Sequence, residues 1–120
     1  MKQLDADYFV ILNSDVEVTA GWLDVPIRMM EADSAIAAIQ PKILSCHQKS
    51  QFEYAGAAGG FIDRFGYPFC RGRIFNVVEE DRHQYDNSID IFWATGACMF
   101  VRSRSFSEVG GFDTAFQYPK

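Results

Sequence analysis

The first cluster of apolar positions along the chain is Tyr8-Phe9-Val10-Ile11-Leu12, an unbroken run bounded by Asp7 and Asn13. Such a run predicts a strand covered on both faces. Beyond it, Asn13, Asp15 and Glu17 alternate with Ser14, Val16 and Val18, so on an extended backbone the first three side chains point the same way. Trp22, Leu23, Ile27 and Met30 then recur at helical spacing behind Thr19, a residue of N-cap type. Pro26 fits only a first helical turn, which moves the start of the regular helix to near Asp24. Ala35 to Gln40 reads as a short strand closed by Pro41. From Ile43 to about Asn87 there is no sustained period, and the spacing predicts a long loop with one strand near Phe52 to Ala55. Order resumes with a strand over Ile89 to Thr95, Asp90 being the exception, and a second over Ala97 to Val101. A short helix over Ser103 to Val109, capped by Ser103, ends at Gly110-Gly111.

Strands alternating with helices imply an α/β sheet with right-handed crossovers, and 120 residues suffice for one domain but not two. A hydrophobic fraction of 48% with eleven Phe residues predicts a well-packed chain. The net charge of -5 argues against a nucleic-acid surface, which needs clustered Lys and Arg. No apolar stretch approaches the roughly 20 residues of a membrane span. Met1 to Asp5 turns acidic where a secretory leader would become apolar. Cys46, Cys70 and Cys98, odd in number and without a CxxC pair, read as reduced thiols. A buried strand so near the start needs sheet neighbours from elsewhere, so the expectation is a piece of a longer enzyme. Its exposed strand edges would favour self-association into a homo-oligomer.

Three oxygen-bearing side chains at alternate positions after an apolar strand suit a hard divalent cation held by one or two carboxylates plus substrate phosphates. Ligands in open α/β sheets bind beyond the carboxyl ends of the strands, which is where Asn13, Asp15 and Glu17 fall. The same residues also suit an ordinary polar turn, with Asn13 and Asp15 satisfying the backbone. A calcium loop is excluded, because its sixth position requires Gly and carries Val18, and a strand-like run precedes it. His47 and His83 lie in loop-like sequence and read as solvated surface residues.

Five segments together resemble family 2 glycosyltransferases, in particular rhamnosyltransferase-like members. Leu12-Asn13-Ser14-Asp15-Val16 followed by Gly21-Trp22-Leu23 resembles their LNPDV…PGWL segment. Ile39-Gln40-Pro41-Lys42-Ile43-Leu44 is similar to their V-x-P-K-I-L strand exit, and Glu53-Tyr54-Ala55-Gly56 to an I-x-x-A-G step. Thr95 to Arg102 resembles x-G-A-x-M-L-I-R, and Val109 to Phe116 resembles V-G-G-F-D-E-x-F. The segments run in family order over nearly the whole chain.

The resemblance implies a GT-A fold, a mixed sheet flanked by helices and here incomplete, with residues 1–120 forming the central to C-terminal part of one domain. It implies inverting transfer from a nucleotide-sugar donor to a saccharide or lipid-linked acceptor, assisted by Mg2+ or Mn2+ at a DxD-like motif. Carried over residue by residue, Asp15 is the metal or diphosphate ligand, Asn13 offers a neutral oxygen, and Glu17 is a helper for the metal. Gly96 and Ala97 would lie beneath the sugar or acceptor, or serve simple strand packing. Asp113 stiffens the Gly-Gly-Phe-Asp turn or faces the acceptor. Trp93 is a stacking platform for a sugar ring or a core aromatic. The family's catalytic base, the Asp of an acidic pair, is expected beyond Lys120, and the early strands that grip the nucleotide are expected before Asp7. Without a positioned base, displacement loses about 10²–10⁴-fold, so the chain alone is expected to be inactive. The setting implied is cytoplasmic, at the inner face of the membrane in the full-length protein. Two rival classes stand beside this one: a non-catalytic sugar or nucleotide-sugar binding module, and a metal-dependent nucleotidyltransferase.

Overall fold

A computed structural model describes residues 5–113 and 115. The order of elements is β1 (Tyr8–Leu12), α1 (Asp24–Ala32), β2 (Ala38–Ile39), β3 (Gly60–Ile62), β4 (Pro68–Cys70), β5 (Arg73–Ile74), β6 (Val77–Val78), β7 (Cys98–Arg102) and α2 (Ser103–Glu108). They form a mixed α/β arrangement with two separate sheets.

The larger elements answer to the long periodic segments of the sequence. β1 pairs antiparallel with β7, Tyr8 opposite Arg102 and Leu12 opposite Cys98, and β2 pairs antiparallel with the other edge of β7. β1 and β2 therefore run parallel to each other, with α1 in the connection between them and β7 inserted from later in the chain. Alternate residues Tyr8 and Val10, with Ile39, Cys98 and Phe100, turn toward Ile27 and Met30 of α1 to make one core. Trp22 joins it with its ring 5.3 Å from that of Phe100. On the opposite face Phe9 meets Phe106 of α2 edge-on at 5.1 Å. Side chains therefore pack on both faces of β1, but its residues are only half-buried and Leu12 is exposed, so the full cover predicted by the unbroken apolar run is not reached at this edge of the described sheet.

Local chemistry sets the helix ends. α1 begins at Asp24 with Pro26 in its first turn, where a missing N–H costs nothing. Thr19 is not the cap: its carbonyl accepts from Trp22 in a preceding turn, and Leu23 takes the N-cap position without a side-chain bond. Ser103 likewise is the first residue of α2, with Arg102 at the N-cap position. The expected Gly-Gly stop is realised. Gly110 and Gly111 adopt φ of 84° and 79°, and Gly111 N–H donates to Phe106 O at 2.9 Å.

Three further expectations are corrected. Much of the segment from Ile43 to Asn87 is irregular, as expected, but it is not loop throughout: β3, β4, β5 and β6 form a four-stranded antiparallel meander within it. Strands of two or three residues are too short to display a period, so the pattern hides them. The strand near Phe52 to Ala55 reduces to isolated bridges, Leu44 with Phe52 and Gln51 with Glu80. Phe52 instead anchors a second core with Ala57, Ala58 and Cys70.

Ile89 to Thr95 is not a ladder strand either, and bridges only at Trp93 to Gly60. Its alternation is real, however. Ile91, Trp93 and Thr95 lie over Gly59, Gly60 and Gly56, whose bare backbones admit them. The segment packs by side chain against a glycine-rich run, with almost no ladder of its own.

The three cysteines are unpaired, Cys70 and Cys98 being buried in different cores and Cys46 exposed. Burial pushes the Cys98 thiol above its ordinary value. Among the described residues no helix is long and apolar enough to cross a membrane.

Candidate functional site

The carboxyl end of β1 is joined directly to the turn that precedes β7. Leu12 is the last paired residue, and Asn13 N–H then donates to Ala97 O at 3.0 Å. Gly96 and Ala97 form a turn, so β1 has no ladder partner beyond Cys98 and its extended path stops. The chain folds back with Val16 N–H donating to Asn13 O at 3.3 Å. Asn13 to Val16 is therefore a turn, and the one-sided display of Asn13, Asp15 and Glu17 expected from an extended backbone is not what the chain adopts.

The juxtaposition nevertheless brings three of the expected residues to one place. Asn13, Gly96 and Ala97 adjoin at the end of the three-stranded sheet, with Asp15 in the turn itself and Glu17 just after it. Asn13, Asp15, Glu17 and Gly96 are exposed, and nothing lies within 4 Å of where a Cβ on Gly96 would stand. Gly96 is thus open to an incoming group and is not a packing glycine. Among the described residues, no protein group bonds the side chains of Asn13, Asp15 or Glu17. Two carboxylates and a neutral amide oxygen, all exposed, are oxygen donors of the type that Mg2+ or Mn2+ takes alongside phosphate oxygens.

Behind this surface runs a relay of hydrogen bonds that the sequence did not single out. Gln40, at the exit of β2, donates from Nε2 to Gly56 O at 2.9 Å and accepts at Oε1 from Thr95 N–H at 2.8 Å. Thr95 Oγ1 in turn accepts from Ala97 N–H at 3.3 Å. The Gln40 amide therefore ties the exit of β2 to the turn at Gly56 and to Thr95, and supports the turn that meets Asn13. Its one sequence mark is that it is the polar residue closing an otherwise apolar strand, Ala35 to Ile39 apart from it.

Trp93 and Asp113 sit elsewhere. The Trp93 indole packs on Gly60 and donates Nε1–H to Phe61 O at 2.9 Å, a half-buried packing position in the second core. Asp113 accepts from Ala115 N–H at 2.8 Å within its own turn, and it is exposed. That turn follows α2, which is anchored on Phe9 near the start of β1, whereas Asn13 follows its end. Thr114 and Phe116 of the last motif, and Lys120, beyond which the catalytic base is expected, lie outside the described residues.

No protein-family model and no solved structure matches the chain. The chain is similar to the O-antigen biosynthesis protein RfbC of Myxococcus xanthus, at 29% identity over 123 residues. That relative is named for O-antigen biosynthesis. The alignment covers 97% of this chain and 9% of RfbC, so the chain spans less than a tenth of the length of that relative. The aligned stretch includes both cores and the Asn13–Ala97 junction.

A second cluster of ionisable groups involves the Pro41-Lys42-Ile43-Leu44 exit. Asp81, His83 and Asp86 bring ligand atoms within 4.8 Å of one another. Lys42 Nζ stands 2.6 Å from a carboxylate oxygen of both Asp81 and Asp86, and His83 Nδ1 is 2.9 Å from Asp86. The ammonium thus supplies the positive charge that the carboxylates gather around. It ties the segment following β6 to the end of the apolar strand. The hydrogen bond from Lys42 holds the Asp81 carboxyl below its ordinary range, with burial opposing. Asp86 is lowered by the same donor and by His83. Burial pushes the Lys42 ammonium down, but the two carboxylates together outweigh it and leave its pKa raised. His83 is 82% exposed, the solvated position expected of it.

Proposed function

We propose that this chain is part of a GT-A glycosyltransferase that uses a nucleotide-activated sugar, with Asp15 at the centre of its donor site. The observation that supports it is the bond between Asn13 N–H and Ala97 O. It brings the Leu-Asn-Ser-Asp-Val and Thr-Gly-Ala segments, far apart in sequence, to one solvent-open strand end. The α/β arrangement, in which β1 and β2 run parallel on either side of β7, and the similarity to an O-antigen biosynthesis protein support the same reading. Every pairing among the described strands is antiparallel, however, and the mixed sheet expected of the fold is not seen.

In this proposal Asp15, with help from Glu17 and the Asn13 amide oxygen, would hold Mg2+ or Mn2+ against the donor diphosphate. The metal would supply positive charge where the leaving diphosphate develops negative charge. The turn at Asn13 to Val16 keeps the Asp15 carboxylate in water until donor arrives. Gly96, lacking a side chain, would admit the sugar close to the backbone, while Ala97 and the Gln40–Thr95 relay keep that backbone from moving. The acceptor would be a saccharide or a lipid-linked glycan, and the setting the cytoplasmic side of a membrane.

Calorimetric titration of the full-length protein with uridine, guanosine and thymidine diphosphates, with and without Mn2+, tests the reading. At least one nucleotide should bind only with metal, and Asp15→Ala should weaken it by about tenfold or more, while Asp113→Ala leaves it unchanged. Metal-independent binding, or binding insensitive to Asp15→Ala, would sink the assignment. Binding without any transfer by the full-length protein would favour the non-catalytic module.

A further inference from the structure

The Glu53-Tyr54-Ala55-Gly56 segment takes no direct part in the donor site, yet its last residue stands behind it. Gly56 is buried in the turn that enters the second core. Its φ lies outside the left-handed region, so backbone conformation does not call for a glycine. Space does. A Cβ on Gly56 would stand 2.5 Å from Thr95 Cγ2 and 2.8 Å from Thr95 Cβ, closer than side-chain carbons approach. The Thr95 methyl therefore rests directly on the Gly56 backbone, a seat that any other residue would fill.

Neither partner is free to draw back. The Gly56 turn is pinned to Ile43 from both sides, with Glu53 N–H donating to Ile43 O at 2.9 Å and Ile43 N–H to Ala57 O at 3.0 Å. Gly56 O also accepts from Gly59 N–H at 3.1 Å. Thr95 is held against that turn by the Gln40 amide, which bonds Gly56 O on one side and Thr95 N–H on the other. Gly56, Gln40 and Thr95 thus make a closed unit of two hydrogen bonds through one amide and one methyl-to-backbone contact.

That unit decides where the Thr95 hydroxyl points. A β-branched side chain has few χ1 settings, and its methyl and hydroxyl turn together. With the methyl seated on Gly56, Oγ1 accepts from Ala97 N–H at 3.3 Å. Ala97 O in turn accepts from Asn13 N–H at 3.0 Å, two residues before Asp15. Among the described residues, the Thr95 hydroxyl makes the one side-chain bond to Gly96 or Ala97. Nothing packs where a side chain on Gly96 would stand, so this bond has no substitute there. Bulk added at Gly56 would expel the methyl, and the rotation that relieves the clash would carry the hydroxyl away from Ala97.

We infer that Gly56 and Thr95 are positioning residues of the donor site: the methyl seated on Gly56 aims the hydroxyl that holds the Gly96–Ala97 turn, and that turn sets where Asn13 and Asp15 stand. The inference rests on the donor-site reading and extends that site to a turn of the second core that touches neither metal nor nucleotide.

Calorimetry of the full-length protein with uridine, guanosine and thymidine diphosphates in Mn2+, set beside thermal melts of the same variants, tests it. Thr95→Val keeps the shape and removes the acceptor, whereas Thr95→Ser keeps the acceptor and removes the methyl. Both should lower the melting temperature by similar amounts, one through an unpaired N–H and the other through lost packing. Their binding should differ: Thr95→Val should weaken Mn2+-dependent binding by about tenfold and Thr95→Ser by about twofold. Gly56→Ala should also weaken it by about tenfold, and adding Thr95→Ser should bring that loss back to about threefold, because serine lacks the expelled methyl. The two Thr95 variants carry the test alone should Gly56→Ala fail to fold. Thr95→Val and Thr95→Ser within twofold of each other, or binding that merely follows melting temperature across the variants, would overturn this inference and leave the Asp15 dependence standing. Binding that needs no Mn2+ or survives Asp15→Ala would overturn the donor-site reading and this inference together.

Discussion

Arg102 offers a direct measure of how the first core is held. It is the last residue of β7, and its guanidinium closes four contacts, to β1, to the end of α1 and to the connection that follows α1. Nε–H donates to Ile36 O at 2.9 Å, Nη2–H to Met30 O at 2.7 Å and Asp33 O at 3.1 Å, and Nη1–H to the Tyr8 hydroxyl at 3.1 Å. Met30 and Asp33 carry carbonyls at the C-terminal end of α1, where a cation also meets the negative end of the helix dipole. Arg102→Met keeps the aliphatic stem and removes all four donors. A hydrogen bond to a charged group contributes about 1.5–3 kcal/mol, but these share one cation and the carbonyls partly rehydrate. The expected loss is therefore about 3 kcal/mol, a large part of the stability of a domain this size. That corresponds to a fall in melting temperature of about 10–15 °C. Equilibrium denaturation followed by circular dichroism should show a lower midpoint at unchanged slope. Arg102→Lys should recover less than half of the loss, since an ammonium cannot span the same four acceptors. A loss below about 1 kcal/mol for Arg102→Met would show that the carbonyls find water as readily as the guanidinium, and would refute the clamp.

Two further outcomes are expected. Lys42→Met should destabilise the chain by about 2 kcal/mol at neutral pH, because it strands an Asp81 carboxylate only 8% exposed. The lowered carboxyl pKa of Asp81 means that its contribution is present above the ordinary value of 3.8 and fades as pH falls through the lower folded value. Urea midpoints measured from pH 6 down to pH 2 should show this loss in the unmodified chain and a shallower one in Lys42→Met; identical slopes would contradict the tie. Gly60→Ala should cost about 2–3 kcal/mol, because its Cβ would overlap the Trp93 ring. Thermal melts monitored by tryptophan fluorescence would check it, and a shift of less than about 3 °C would show that the indole moves aside freely.

The parts of the fold legible in the sequence are those whose periodicity extends over several residues. β1 coincides with the apolar run Tyr8 to Leu12, and α1 starts at Asp24 as Pro26 requires. β7 and α2 fall within a residue of the expected spans, and Gly110-Gly111 ends the helix. The small sheet was illegible because its strands hold only two or three residues and depend on glycine backbones that admit neighbouring side chains. The Ile89 to Thr95 segment shows the converse. It alternates as a strand does because one side faces a packed surface, yet alternation says nothing of whether a ladder partner is present.

The candidate site divides along the same line. Asn13 and Asp15 stand out in the sequence because oxygen donors after a strand are a local feature, equally suited to a polar turn, whereas Gly96 and Ala97 entered only through the resemblance to family 2 glycosyltransferases. That Asn13 binds Ala97, that the acidic segment turns instead of running straight, and that Gln40 and Thr95 support it were decided only when β7 inserted beside β1. Likewise Arg102 and Lys42 are unremarkable as letters in a chain. Their roles arise because a long, charged side chain satisfies whichever carbonyls and carboxylates the fold happens to bring within its reach, and those come from residues far away in sequence.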